Sequence, residues 1–151
     1  MKKYKARDIA EYYICCSNDK ESGDLISNLK IQKLVYYAQG IHLAATGKAL
    51  FDDEIVAWAH GPVVEGLYHA YKGYGEGPIE PTSGYAIPKF DKSTKQLLDE
   101  VYRVLGQYSA WKLRAMAHSE SPWINANRKG IGTVITHKDM TEHFKPFVKV
   151  N

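Results

Sequence analysis

The sequence has few cysteines, and their arrangement indicates neither a disulfide-linked fold nor a zinc site. Only two of the 151 residues are cysteine, and they are the neighbours Cys15 and Cys16. Adjacent helical residues point in directions about 100° apart, so these two sulfurs cannot easily bond to each other. A second cysteine pair that would complete a zinc site is missing. We therefore expect no disulfide, no bound metal and a reducing compartment.

No stretch of the sequence is long and apolar enough to cross a membrane. The longest relevant uncharged run, residues 34–47, has 14 residues and includes Gln39 and His42, whereas about 20 are needed to span a bilayer. Near the start, Glu11 interrupts the apolar residues before the core of a signal peptide can form. We expect a soluble cytoplasmic protein.

Charge of one sign is only slightly in excess. Twenty lysine and arginine residues stand against 17 aspartate and glutamate residues, for a formal net charge of +3. The only basic cluster comprises Lys2, Lys3, Lys5 and Arg7. Nucleic-acid-binding domains usually carry a basic stripe on one face. We therefore do not expect dedicated nucleic-acid binding, and a weak nucleic-acid-binding regulator stays an alternative.

The common motifs of phosphate-binding, metal-binding and nucleophilic enzymes are missing. Gly40 and Gly47 are too far apart for a P-loop, and residues 73–78 have proline where a dinucleotide fingerprint needs its third glycine. The six histidines show no His-x-x-x-His or His-Glu-x-x-His spacing. We predict no catalytic residue and no cofactor. The alternative is a small hydrolase-like enzyme that uses His60 or His118 as its acid–base group.

The apolar residues that are present predict one folded domain over residues 1–151. Hydrophobic residues make up 44% of the chain and charged residues 25%, as in globular proteins. Aromatic residues reach 12%, and eleven of them are tyrosine, whose large apolar face and polar tip suit both cores and interfaces. No repeat or linker divides the chain.

The strongest helical signal lies in residues 28–46. Apolar side chains recur at intervals of three and four residues from Ile31 onward, as on one face of a helix. Ser27 is suited to cap the beginning of this helix, and Gly47 to end it. Because Val35 and its aromatic neighbours extend the apolar surface around most of the circumference, we predict a largely buried central helix.

A short strand is predicted to follow at residues 55–59, which are rich in β-branched and aromatic side chains. The His-Gly-Pro sequence of residues 60–62 then interrupts the apolar run. Since glycine permits a sharp turn and proline suits the first position of a helix, we predict a strand-to-helix corner and a helix over residues 63–72. A long segment without helical period, residues 73–91, comes next.

The predicted fold class is mainly α, a compact bundle of about six helices around the central helix. A minor β element is expected in which residues 55–59 can pair with residues 131–135, and a polar loop up to Gly23 is expected after the first helix. Four helices are predicted besides the two above: one with Ala6, Ile9, Ala10 and Tyr13 on its buried face, one beginning at Asp91 or Ser93, one from Ser109 to the Ser-Pro-Trp sequence of residues 121–123, and one over residues 138–144.

Two separated motifs resemble the Panacea antitoxin domain, the SocA-like family. The second motif is a helix that ends in histidine and is followed by proline and tryptophan, here His118, Pro122 and Trp123. The first motif lies upstream, with isoleucine at position 31 in place of the usual leucine, and we interpret the residues of both motifs mainly as structural. The residues that match the first motif are Ile31, Lys33, Leu34, Tyr36, Tyr37, Gln39, Phe51, Asp52, Ala57, Trp58, Gly61, Pro62, Val63, Tyr68 and Tyr71.

The resemblance covers nearly the whole chain and implies an antitoxin of a bacterial or phage type II-like toxin–antitoxin pair. Such a protein neutralises a cognate toxin, encoded nearby, by direct protein–protein binding. One family member is described as a proteolytic adaptor that delivers its toxin to the ClpXP protease. The family often has tyrosine or a basic residue at the position of His60, which argues against this histidine as an essential catalyst.

We predict the toxin-binding surface in the aromatic region that follows the strand, together with the adjoining Gly/Pro-rich segment. Exposed aromatic residues are frequent anchors of protein interfaces. The alternative is that Trp58, Tyr68 and Tyr71 belong to the core. The predicted partner-binding residues are Trp58, His60, Tyr68, Tyr71, Tyr74 and Tyr85.

Overall fold

The computed structural model of the protein describes residues 4–18 and 25–148. These residues form seven α-helices and one two-stranded sheet, so the prediction of a mainly α fold is confirmed. Two 3₁₀ turns, Lys72–Tyr74 and Lys145–Phe147, follow α3 and α7. The elements are α1 Ala6–Asn18, α2 Asn28–Thr46, β1 Val56–Trp58, β2 Gly61–Val63, α3 Glu65–Tyr71, α4 Lys92–Leu105, α5 Ala110–His118, α6 Ser121–Lys129 and α7 His137–Phe144.

Helix α2 is the centre of the fold, as its pattern predicts. Every residue from position 31 to position 40 is buried. The helix packs against α1, α3, α4, α5, α7 and β2. The Ser27 hydroxyl accepts a hydrogen bond from the Lys30 backbone N–H at 3.2 Å, and Gly47 ends the helix with a φ of 76°. Local cap chemistry therefore places both ends of a helix that tertiary packing then surrounds.

The other caps also lie where the sequence predicts them. Asp91 caps α4 by accepting a hydrogen bond from the Thr94 backbone N–H. Ser109 caps α5 and Thr136 caps α7 in the same way. In α1, the residues predicted for the inward face are fully buried, including Tyr13.

The predicted strand-to-helix corner at residues 60–62 is wrong, because this segment forms a β-hairpin. Strand β2 pairs antiparallel with β1, and Trp58 lies opposite Gly61. Gly61 has a φ of 112°, a conformation that favours glycine, so the chain can reverse direction there. Pro62 lies within β2, where an edge strand tolerates its missing N–H group, and α3 begins only at Glu65.

The predicted pairing of residues 55–59 with residues 131–135 is present without a second regular strand. The backbone N–H of Ala57 donates to the Thr133 carbonyl at 2.9 Å, and the N–H of Gly132 donates to the Ala57 carbonyl at 2.7 Å. A single isolated bridge joins Val56 and Val134. Gly132, with a φ of 89°, interrupts an extended conformation, so the segment follows β1 without forming a regular strand.

The Ser-Pro-Trp sequence of residues 121–123 begins a helix, whereas the sequence predicts that it ends one. Helix α5 ends at His118, and α6 starts at Ser121 with Pro122 in its first turn. Proline is tolerated there because the first N–H groups of a helix have no partner within the helix. The described residues therefore contain seven α-helices, one more than the prediction.

Residues 75–91 have no regular helix or strand, as predicted, and are fixed to the helices by a few contacts. The Ile79 backbone N–H donates to the Ile26 carbonyl at 2.8 Å, and Phe90 packs edge-on against Tyr4. Lys2 and Lys3 of the basic cluster, and the predicted polar loop up to Gly23, lie outside the described residues. None of the helices that are described is long and apolar enough to cross a bilayer.

Candidate partner-binding groove

The predicted partner-binding residues do not form one surface. Trp58, His60 and Tyr68 line a common groove. Tyr71 is 1% exposed, and its hydroxyl donates to Glu11 at 2.6 Å, so the structure places it in the core. Tyr85 donates to Asp8 of α1 at 2.5 Å and does not line this groove. Tyr74 is 40% exposed and directly precedes two groove residues, Gly75 and Glu76.

We call the cavity between α2, the β-hairpin, α3 and α5 the aromatic groove, and its volume is about 950 Å³. Trp58 and Tyr68 stand edge to face, with their ring centroids 5.0 Å apart. Trp111, near the beginning of α5, contributes a side chain that is 63% exposed. The groove is lined by Ser27, Asn28, Leu29, Gln32, Lys33, Trp58, Ala59, His60, Val63, Tyr68, Lys72, Gly75, Glu76, Ala110, Trp111 and Ile131.

The hairpin that carries Trp58 is fixed to the second family motif. The Trp123 indole N–H donates to the Trp58 carbonyl oxygen at 2.9 Å. His118 donates through Nε2 to the Ala59 carbonyl oxygen at 2.8 Å, and its ring packs on that of Trp123. The start of α6 and the end of α5 therefore hold the hairpin in place through its backbone carbonyls.

Lys33 contributes a basic side chain to the groove wall although it is fully buried. Its only hydrogen bond to a described residue is a long one, from Nζ to the Pro62 carbonyl oxygen at 3.4 Å. Burial, followed by the nearby charge of Arg114, lowers the pKa of Lys33 to about 7. The stem lies so close to the hairpin that a Cβ on Gly61 would be 2.7 Å from Lys33 Cε.

Further basic side chains surround this lysine. Arg114 donates through Nε to His60 Nδ1 at 3.1 Å, and its guanidinium lies 5.1 Å from the Trp111 ring centroid. Burial is the main cause that lowers the pKa of His118, and the charges of Arg114 and Lys33 lower it further. Neither Lys33 nor Arg114 forms an ion pair with any residue that the structure describes. The groove therefore has aromatic walls, and basic side chains lie on one wall and beside it.

The two histidines considered as acid–base groups contact no nucleophile within the described residues. His60 accepts from Arg114, and His118 donates to a backbone carbonyl. Cys15 and Cys16 lie on α1, which does not line the groove. Among residues 4–18 and 25–148, no group of three His, Cys, Asp or Glu side chains is placed to hold a metal ion.

Most other residues of the family motifs have their polar groups satisfied inside the fold. Gln39 donates to the Phe51 carbonyl at 2.8 Å and accepts from the Leu50 N–H at 2.7 Å. Tyr36 and Tyr37 each donate to Glu120 at 2.9 Å. Leu34, Gly61, Pro62, Val63 and Pro122 are buried. The structural role of these motif residues stays a prediction, and Lys33 differs from them in being buried with a single long hydrogen bond to a described residue.

Sequence reasoning does not assign Trp111 or Lys33 to the groove. It also does not identify Arg114, which borders the groove through its contacts with His60 and Trp111. A signal for Trp111 was available, since Leu113 and Ala117 mark the buried face of α5 and residue 111 lies roughly 200° around the helix from residue 113. An exposed tryptophan is an interface candidate. Arg114 and Lys33 offered no comparable signal, because their proximity arises from the packing of α5 on α2.

Comparison with known proteins agrees with the two motifs. The family model described as antitoxin SocA-like, Panacea domain, matches residues 31–124. A similar relative is "Antitoxin SocA" of Caulobacter vibrioides (strain NA1000 / CB15N), which is 32% identical over 142 aligned residues, covering 83% of this chain and 75% of the relative. No solved structure matches the chain. The chain belongs to the SocA-like antitoxin family with the Panacea domain.

Proposed function

We propose that this chain is an antitoxin that neutralises a cognate toxin protein by binding it directly at the aromatic groove. The observation that carries the proposal is the cluster of aromatic rings around one cavity, namely the half-buried Trp58 and the exposed Tyr68 and Trp111. Family membership supports the antitoxin role, and the groove offers the surface for it.

The physical argument rests on Trp111. A tryptophan that is 63% exposed leaves a large apolar surface in water, and its burial by a partner would stabilise a complex. Arg114 stacks on this ring, and Trp and Arg are enriched among the residues that dominate binding energy. The same groove is shaped by the hairpin and α5, which are joined by the hydrogen bonds of His118 and Arg114, so the surface exists before the partner arrives.

The test uses the toxic protein encoded next to this chain. Expression of that protein alone should stop growth, and co-expression of this chain should restore it. Trp111→Ala should remove the rescue, because truncation of an interface anchor typically costs more than about 2 kcal/mol of binding energy. Binding of the purified proteins, measured by calorimetry, should weaken accordingly.

Phe147→Ala is the matched control, since Phe147 is 68% exposed and does not line the groove. Its rescue and its melting temperature should equal those of the wild type. If Trp111→Ala rescues as well as Phe147→Ala does, the toxin binds elsewhere. A neighbouring protein that is not toxic, or that the wild-type chain does not bind, contradicts the antitoxin role itself.

Direct binding leaves two routes to neutralisation, steric blocking and delivery to the ClpXP protease. We propose blocking as the primary route, because the groove is a preformed surface for a folded partner. The toxin's half-life should then be the same with and without this chain, in cells with ClpXP and in cells without it. Rescue that disappears when ClpXP is deleted would instead identify the chain as an adaptor.

A further inference from the structure

The wall of the aromatic groove contains a buried lysine that has no acidic partner among the residues that the structure describes. Lys33 is 0% exposed, and among described residues its ammonium group has one hydrogen bond, 3.4 Å long, although it can donate three. A buried charge without a counter-charge is costly, and proteins rarely retain one unless it has a use. Lys33 borders the cavity of the groove, so a ligand in the groove would lie next to it.

Other buried ionisable side chains of this fold are well satisfied. Glu11 accepts hydrogen bonds from Tyr71, from Arg7 and from both the backbone and the hydroxyl of Thr82. Lys30, one turn before Lys33 on α2, donates to the Gly106 carbonyl at 2.6 Å. The fold therefore supplies close hydrogen-bond partners to these side chains, and Lys33, in the groove wall, differs from them in having a single long hydrogen bond to a described residue.

We propose, on the basis of the proposed function, that the groove receives an aspartate or glutamate side chain of the toxin, flanked by apolar residues. The carboxylate pairs with the positive charges of Lys33 and Arg114, and the flanking residues pack against the tryptophans. A carboxylate accepts several hydrogen bonds at once. The remaining N–H groups of Lys33, His60 and Arg114 can donate such bonds.

The charge pattern of the groove favours a polypeptide over a nucleic acid. Glu76 also lines the groove, so a row of phosphates would meet a negative charge there. A polypeptide can place one acidic residue beside neutral ones and avoid this repulsion. The chain as a whole carries a net charge of only +3, which gives little general attraction for a polyanion.

The first test removes the buried charge with little change of shape. Lys33→Met keeps the length of the aliphatic stem, and its affinity for the purified toxin should fall about tenfold or more. Lys30→Met is the control on the same helix, because Lys30 does not line the groove; a small loss of stability there should leave the affinity unchanged. Circular dichroism melting establishes that both variants are folded.

The second test exchanges charges across the interface. Arg114→Glu should weaken toxin binding about 100-fold or more, because it places a like charge against the carboxylate. Arg128→Glu is the control, with the same change of net charge at an exposed position outside the groove. Each Asp and Glu of the toxin is then replaced in turn by Arg. One such replacement should restore binding to Arg114→Glu and abolish binding to the wild type.

The proposal is overturned if Lys33→Met and Arg114→Glu bind the toxin like their controls while Trp111→Ala does not. It is also overturned if no internal position compensates and a one-residue extension of the toxin abolishes binding, since the carboxylate would then be the toxin's terminus. Tighter binding of a 20-nucleotide single strand than of the toxin would likewise refute it. These outcomes differ from failure of the proposed function, in which the wild-type chain does not bind the toxin.

Discussion

Two regions of the molecule differ in how many hydrogen-bond partners the fold supplies to an ionisable side chain in its interior. Glu120, whose side chain is 13% exposed, accepts hydrogen bonds from Tyr36 and Tyr37 and lies 3.8 Å from His143 Nε2. Lys33, on the same central helix as the two tyrosines, has a single long hydrogen bond to a described residue. At Glu120 the polar groups form a network inside the fold, whereas Lys33 lies in the wall of a groove.

The difference separates structural polar residues from candidate binding residues. Burial raises the pKa of Glu120, and the two tyrosine hydroxyls counteract this only in part. At Glu11 burial also acts to raise the pKa, but hydrogen bonds from Tyr71, Thr82 and Arg7 outweigh it and the pKa is lowered. Both carboxylates have internal partners. Burial by itself is therefore no sign of function. A buried side chain that borders a groove and has no described counter-charge is a candidate for binding.

The largest expected effect is loss of stability at the Glu120 network. Glu120→Ala should lower the free energy of unfolding by about 3 kcal/mol, because it leaves two buried tyrosine hydroxyls without their acceptor. Denaturant unfolding measures this, with Glu142→Ala, at an exposed position of α7, as the control. Equal stability of the two variants would show that the network is not structural.

A gain of stability is expected when Lys33 is replaced. Lys33→Met should raise the free energy of unfolding by about 2 kcal/mol at pH 7, because an apolar side chain replaces an uncompensated buried charge. Lys30→Met should give no such gain, since Lys30 has a carbonyl partner at 2.6 Å. A loss of stability in Lys33→Met would indicate that Lys33 is satisfied in the free protein and would remove the contrast.

The gain should depend on pH in a defined direction. The pKa of Lys33 is lowered to about 7 in the folded protein, and the ordinary value of a lysine is about 10.4. The penalty for the charged lysine is therefore fully present below pH 7 and decreases as the pH rises towards the unfolded value. The advantage of Lys33→Met over the wild type should shrink between pH 7 and pH 9 in parallel melting experiments.

A smaller effect distinguishes two tyrosines near the end of α3. Tyr71→Phe should cost about 2 kcal/mol of stability, because it removes a buried hydrogen bond to the Glu11 carboxylate. Tyr74→Phe, at a position that is 40% exposed, should leave stability unchanged. Neither variant should alter rescue at a temperature at which both are folded. Loss of rescue by Tyr71→Phe without a loss of stability would return Tyr71 to the interface.

The smallest expected effect is the pH dependence of toxin binding. A carboxylate in the groove would raise the pKa of Lys33, so the affinity should fall about tenfold between pH 7 and pH 9 as the lysine loses its proton. Arg114 and His118 of α5, His60 of the hairpin, and Lys72 and Glu76 also face this region, so the comparison is made against Lys33→Met. A pH profile that is identical in both proteins would contradict direct pairing with Lys33.

Much of the helical framework was predictable because its signals are local. Ser27, Ser109 and Thr136 cap helices where the sequence predicts them, since a cap depends on three or four consecutive residues. The proline positions were misjudged. Pro62 lies in a strand, and Pro122 lies at the beginning of a helix. Proline excludes some conformations at each site without selecting among the rest, and packing makes that selection.

The groove was predictable only in part, because its residues come from distant segments. Trp58 and Tyr68 were assigned from a short aromatic stretch, and both line the cavity. Tyr71, three residues after Tyr68, is 1% exposed against 37% for Tyr68. Spacing of three residues places both near one helix face, and only the neighbours of α3 decide which ring they cover.

The sequence by itself determined the central buried helix, the capped ends of its neighbours and membership in the antitoxin family, because caps, periodicity and motifs are properties of consecutive residues. The tertiary structure alone decided that Lys33 of α2 meets Gly61 of the hairpin and the charge of Arg114 of α5, with no carboxylate among its described partners. The electrostatic free energy of a charge depends on everything within several ångströms in space. Gly61 and Arg114 lie about 30 and 80 residues after Lys33 in the sequence, and only folding brings the three together.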